Sequence, residues 1–182
     1  WADLHRLDPH TLNLSEYCLW PESAEQQALS EVYVIEGLWR SIPAPPTVGR
    51  LFSAFGRRWL ENHVPQEYQH TVLVQGDTGP ANFMFDDERI TASVDWELAH
   101  FGDPMEDLGN IVVRDYFYPS SGGNLQPYFA HYEQLSGIVF EADKVKYYTV
   151  QQLLRSVMSL MYTVRTLKWN DEVAMNLGLS LI

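Results

Sequence analysis

Residues 75–82 read QGDTGPAN and residues 95–108 read DWELAHFGDPMEDL. Just before the first stretch, TVLVQ (residues 71–75) is a short β-branched run that ends in Gly76-Asp77, the pattern of a strand opening into a loop. Two further strands are expected at 82–85 and 89–95, around the turn Asp86-Asp87-Glu88, whose charges read as a solvated hairpin tip. Asp77 and Asn82 stand five residues apart across a loop that contains Gly79 and Pro80. Thirteen residues beyond Asn82 a strand ends in Asp95-Trp96-Glu97, and Gly102-Asp103-Pro104 and Asp107 follow. A hairpin alone has no need of this polar series. Placed on a loop and a strand end, these side chains can be aimed at one point by the backbone.

Outward from this insert the pattern is helical. Ala2, Leu4 and Leu7 read as the end of an apolar helical stripe, stopped at Asp8-Pro9. Ser23 and Gln26 have capping-box spacing and open a helix with Ala28, Leu29, Val32, Leu38 and Trp39 on its apolar side. The IPAPP run at 42–46 stops that helix. The next is expected to bury Leu51, Phe52, Phe55, Trp59 and Leu60 and to close before Pro65. After Asp103, a helix is expected over 104–117, broken by PSSGG at 119–123; another, capped by Asn124, ends near Gly137. The longest covers 142–169, its apolar faces supplied by Val150, Leu153, Leu154, Val157, Met158, Leu160, Met161 and Val164. The expected fold is mainly α with a small β-hairpin insert.

The polar series matches what phosphoryl transfer needs. A carboxylate must orient the acceptor hydroxyl and take its proton, and oxygen ligands must hold Mg²⁺ on the triphosphate. An aspartate, an asparagine five residues on, and an aspartate after a hairpin are the order used by protein kinases. At GDTGPAN and DWELAHFGDPMEDL the sequence resembles the aminoglycoside phosphotransferase family, and within it bacterial phosphotransferases of unassigned substrate and the kinase-like domains fused to acyl-CoA dehydrogenases. The resemblance implies the C-terminal lobe of a protein-kinase-like (α+β) fold, with residues 1–182 as one domain. Helices fill 1–70, the catalytic loop and metal-binding hairpin 71–107, and a helical substrate-side region 108–182.

It further implies that Asp77 is the catalytic base, that Asn82 and Asp95 are Mg²⁺ ligands holding ATP, and that Asp107 braces the loop. Glu97 completes a D-x-E pair and is a candidate third metal ligand or an acid just behind the metal. The family's usual histidine is replaced by Gln75, which can still brace the loop by hydrogen bonds but cannot titrate near neutral pH. Full-length members grip ATP with a Gly-rich loop and a strand lysine that precede the catalytic loop. Residues 1–70 contain neither, and Lys144, Lys146 and Lys168 all follow it. The chain opens on Trp1 within a helical stripe. It is therefore expected to be a piece lacking its amino-terminal ATP-binding lobe, its partner in the enzyme, and to be inactive alone.

Composition narrows the alternatives. A formal charge of −12 repels a phosphate backbone, which argues against nucleic acid, and could draw a cationic acceptor. A single cysteine, Cys18, rules out an internal disulfide and a thiolate metal cage and favours a cytoplasmic setting. Neither a signal peptide nor a membrane-length apolar run is present, so no membrane role is expected. None of the six histidines forms H-E-x-x-H, and G-x-S-x-G, G-x-G-x-x-G and Walker A patterns are absent. His5 reads as structural and His100 as a plain loop histidine. The expected activity is an ATP- and Mg²⁺-dependent kinase acting on the hydroxyl of a small molecule. The alternative is a non-catalytic kinase-like module that binds a ligand or partner.

Overall fold

The computed structural model describes residues 1–41, 47–66 and 70–166. Among these residues six α-helices and four short strands follow one another: α1 (Ala2–His5), α2 (Ala24–Arg40), α3 (Thr47–Asn62), β1 (Val72–Val74), β2 (Phe83–Asp86), β3 (Arg89–Ser93), β4 (His100–Gly102), α4 (Pro104–Phe117), α5 (Gln126–Ser136) and α6 (Ala142–Thr166). The expected helical body with a β insert is present. One strand went unrecognised: β4 pairs antiparallel with β1, setting Val72 opposite Gly102 and Val74 opposite His100. Three residues, HFG, carry too little pattern to be read as a strand without their partner. The expected hairpin is β2 with β3, irregular between Met84 and Phe85, and largely solvent-exposed.

α6 is the spine, with α2, α3 and α4 packed against it. The helix expected over 142–169 is described to Thr166, so its last turn, and the side chain of Val164, lie outside the described residues. The closest crossing is with α4 at Gly109, where a Cβ would lie 2.9 Å from the backbone N of Thr149 and the carbonyl carbon of Tyr148. Met105 and Leu108 of α4 and Tyr148, Leu154 and Met158 of α6 are buried. Such close packing makes this region intolerant of added volume.

α2 starts where Ser23 Oγ accepts a bond from the Gln26 N–H at 3.0 Å, while Gln26 Oε1 accepts from the Glu22 N–H at 2.7 Å. Its buried face is Ala28, Leu29, Val32 and Trp39, with Leu38 exposed. The IPAPP run lies outside the described residues.

α3 departs most from expectation: Leu60 is buried and Trp59 half-buried, but Leu51, Phe52 and Phe55 face solvent. Small side chains explain the rotation. Ser53 is buried, and at Gly56 a Cβ would meet Leu154 Cδ1 at 2.9 Å, so the helix approaches α6 along Ser53, Gly56 and Leu60. α5 has Leu125 rather than the expected Asn124 at its N-cap; Asn124 stands one residue earlier, where its Oδ1 accepts from the Gln126 N–H at 3.1 Å, and the helix ends at Gly137, whose φ of +74° is the usual glycine stop. No described helix is long and apolar enough to cross a membrane.

Candidate active site

β1 delivers the chain into the 75–82 loop, and one face of α4 holds that loop in place. Asp107, fully buried, accepts from the backbone N–H groups of Gln75 and Gly76, each at 3.0 Å. One turn on, Asn110 Nδ2 donates to the Gly76 carbonyl at 3.3 Å. Two turns on, the Arg114 guanidinium pairs with the Asp77 carboxylate. Residues at i, i+3 and i+7 lie on one side of a helix, so α4 reads the loop almost residue by residue. Thr78 Oγ1 closes the set by donating to the Asp107 carbonyl at 3.0 Å.

Gln75 ties the two halves of the site together. Its Oε1 accepts from the Asp77 N–H at 2.9 Å, and its Nε2 donates to the Asp95 carbonyl at 2.7 Å. A fully buried carboxamide that satisfies a donor and an acceptor at once links loop and strand end without needing charge. Gly76 carries φ +81°, and a Cβ there would stand 2.5 Å from the Leu98 carbonyl oxygen, so only glycine lets the loop pass beneath the 96–98 turn.

Asp77 itself is about a third exposed, at the mouth of this arrangement. Asn82 Nδ2 donates both to its carbonyl at 2.7 Å and to its carboxylate Oδ2 at 2.9 Å. The Asn82 carboxamide oxygen has no partner among the described residues. Asp95 follows β3 with φ +61°, a left-handed conformation that a non-glycine residue adopts only when its surroundings require it. Its carboxylate is exposed. Asp77, Asn82, Asp95, Gln75 and Asp107 are therefore joined in one hydrogen-bonded unit. Glu97 is exposed on the turn and makes no hydrogen bond or ion pair with them among the described residues.

Three residues of this region were not legible in the sequence. Arg114 is one; the signal was its place on the same helical face as Asp107. The second is His5, read only as structural. Its Nε2 lies 3.0 Å from Asp107 Oδ2 and its Nδ1 2.8 Å from the Tyr132 hydroxyl. Because Asp107 can only accept, Nε2–H donates to it, and in the neutral ring Nδ1 accepts from Tyr132. α1 and α5 thus reach the loop through one imidazole.

The third is His100, which is not a loop histidine. It sits buried in β4, with Nε2 3.2 Å from Glu106, which also receives Arg155 Nη1 at 2.8 Å. Burial pulls the His100 pKa down, but the charge of Glu106, its hydrogen bond and nearby Glu31 prevail and push it up to about 9. At the start of α4, Asp103 Oδ1 accepts from the Met105 N–H at 2.8 Å and its other oxygen pairs with Lys144 at 3.3 Å. Burial raises the Asp103 pKa against the opposing pull of Lys144.

Comparison with known proteins gives this arrangement a family. Acyl-CoA dehydrogenase family member 11 of Rattus norvegicus is 31% identical over 121 residues, 65% of this chain and 14% of that protein. Macrolide 2'-phosphotransferase type I superimposes with a TM-score of 0.63 at 18% identity, over 99% of this chain and 55% of that one. Aminoglycoside phosphotransferase APH(4)-Ia, solved in a ternary complex with AMP-PNP and hygromycin B, gives 0.53 at 20% identity, over 89% and 49%. The fold is that of these phosphotransferases, which is protein-kinase-like, and the chain spans about half the length of the solved ones and a seventh of the rat protein. The sequence model of the phosphotransferase enzyme family matches residues 2–148, and the chain belongs to that family.

Proposed function

We propose that this chain supplies the catalytic-loop lobe of an ATP- and Mg²⁺-dependent phosphotransferase whose acceptor is a hydroxyl of a small molecule. The observation that carries the reading is Asp77: a part-exposed carboxylate held from one side by Asn82 and from the other by Arg114, on a residue whose backbone N–H is fixed by Gln75. A carboxylate so fixed can accept a hydrogen bond from an incoming hydroxyl on its remaining lone pairs and then take its proton. The acceptor oxygen bonds to the γ-phosphorus as the bond from phosphorus to the β,γ-bridging oxygen breaks. The electron pair of that bond leaves with the nucleoside diphosphate.

The chemistry of the two side chains supports the metal part of this reading. Asn82 offers a neutral carboxamide oxygen and Asp95 a carboxylate, both hard ligands. Mg²⁺ characteristically binds one or two protein oxygens together with phosphates and water rather than a full protein cage. When bound, the metal neutralises charge on the triphosphate. Glu97, two residues past Asp95, is a further candidate ligand.

Within this proposal the nucleotide is gripped from the other side by an amino-terminal lobe outside residues 1–182, and the enzyme works in the cytoplasm. Residues 1–182 by themselves then turn over very slowly or not at all. The test is nucleotide binding and transfer by the full-length protein, screened against hydroxylated metabolites. Asp95→Ala is expected to weaken Mg²⁺–AMP-PNP binding about tenfold or more and to abolish transfer. Equal nucleotide binding by both proteins, with no transfer by either, would identify a binding module instead.

A further inference from the structure

We propose that Arg114 is itself a catalytic residue, whose guanidinium binds the transferring phosphoryl group beside Asp77. This rests on the phosphoryl-transfer reading above and assigns that site a cation that neither of its sequence motifs contains.

Four observations lead to it. First, of the five N–H donors of Arg114, only Nη2 is engaged among the described residues, by Asp77 Oδ1. The others are available at the mouth of the site. Second, the pair is not buried: the Arg114 side chain is 37% exposed and that of Asp77 31%. An ion pair this open adds little to stability. A merely structural brace would be better placed behind the loop, where Asp107 and Asn110 already stand. Third, the loop makes room for the guanidinium. At Gly79 a Cβ would lie 3.3 Å from Arg114 Nε, so a side chain there would press on the very group in question.

The fourth observation is charge. Asp77 and Asp95 give the site two carboxylates, which repel a triphosphate. The other cations in this part of the fold are committed elsewhere: Lys144 to Asp103 and Glu141, Arg155 to Glu106 and Glu31, and Arg89 to Asp86. Arg114 is the cation the described structure places at the loop.

Its role follows from geometry. In the free site the guanidinium rests on the base. When a γ-phosphoryl group arrives, a planar fork of donors can bond its equatorial oxygens while keeping one bond to Asp77. As the acceptor oxygen bonds to phosphorus and the bridging oxygen departs, the guanidinium faces the charge that spreads over the equatorial oxygens. Its proton count does not change, and the hydroxyl proton still goes to Asp77. This is the work an arginine finger does in other phosphoryl-transfer enzymes, here delivered from a helix of the same lobe.

The test compares ground state with transition-state mimic in the full-length protein. Binding of Mg²⁺–ADP alone, and of Mg²⁺–ADP with aluminium fluoride as a planar phosphoryl mimic, is measured for the wild type, Arg114→Met and Gly79→Ala. Arg114→Met is expected to weaken the fluoride complex about 100-fold while changing Mg²⁺–ADP affinity less than about threefold. Gly79→Ala shifts the guanidinium without removing it and is expected to act in the same direction by about tenfold. Should Arg114→Met fail to fold, Arg114→Lys takes its place, keeping charge but losing the fork, with an expected loss of about tenfold. Equal affinity of wild type and variant for the fluoride complex overturns the role of Arg114 and leaves the enzyme reading standing. So does a parallel loss of Mg²⁺–ADP binding. A wild-type protein that binds no Mg²⁺–ADP overturns both.

Discussion

Replacing Asp107 with asparagine changes one oxygen to an amide nitrogen and leaves the shape of the side chain intact. In the native structure the two carboxylate oxygens accept three bonds, from the N–H groups of Gln75 and Gly76 and from His5 Nε2, all at 3.0 Å and out of contact with water. Asparagine keeps one acceptor oxygen. Its NH₂ group must then face either the Gly76 N–H or the pair formed by Gln75 and His5. At least one hydrogen bond to a charged acceptor is lost, at about 1.5–3 kcal/mol, and a buried donor is left unpaired, at about 1–3 kcal/mol. Some of this is relieved if His5 shifts its proton to Nδ1, so a net local cost of about 2–4 kcal/mol is expected.

The cost falls on the loop, because Asp107 itself is held within α4. Amide hydrogen exchange followed by mass spectrometry reads it directly. The peptide containing the Gln75 and Gly76 amides should exchange about 30- to 1000-fold faster in Asp107→Asn, at about 1.4 kcal/mol per tenfold. Peptides from the middle of α6 should change far less. Unchanged protection at 75–76 in a folded variant would refute the claim that Asp107 holds the loop.

Three-dimensional crowding makes a second prediction. Gly109→Ala places a methyl group 2.9 Å from backbone atoms of α6 that cannot rotate away, and is expected to destabilise by about 1–3 kcal/mol, read as a shifted urea midpoint. A third concerns pH. The His100 pKa is raised on folding from 6.5 to about 9, so its contribution to stability is fully present below pH 6.5 and is lost as pH rises through about 9. The melting temperature should fall by about 5 °C or more between pH 6.5 and 9.5, and His100→Gln should flatten that slope. An identical slope in wild type and variant would contradict the ion pair with Glu106.

What the sequence disclosed, and what it withheld, divides along physical lines. Helix starts, stops and periods were readable because they are local: Ser23, Pro104 and Gly137 each act within a turn of their own position. The order and spacing of Asp77, Asn82 and Asp95 were readable for the same reason. β4 was not, since a three-residue strand has meaning only beside β1. The buried side of α3 is not the one its apolar bulk suggests, because Ser53 and Gly56 decide which face can come close to α6. His5 and Arg114 act through contacts with residues 102 and 37 positions away, and His100 meets Glu106 only because β4 and the first turn of α4 fold onto each other. For His5 in particular, no neighbouring residue announces that it will meet Asp107.

The central claim is that Asp77 takes the proton of an acceptor hydroxyl. The direct measurement is transfer of the γ-phosphoryl group from radiolabelled ATP to an acceptor by the full-length protein, for the wild type and for Asp77→Asn. The variant should keep its melting temperature within a few degrees and its affinity for Mg²⁺–AMP-PNP within about threefold, while turnover falls by about 10² to 10⁴. Turnover within a few-fold of the wild type in a correctly folded Asp77→Asn protein would contradict the account.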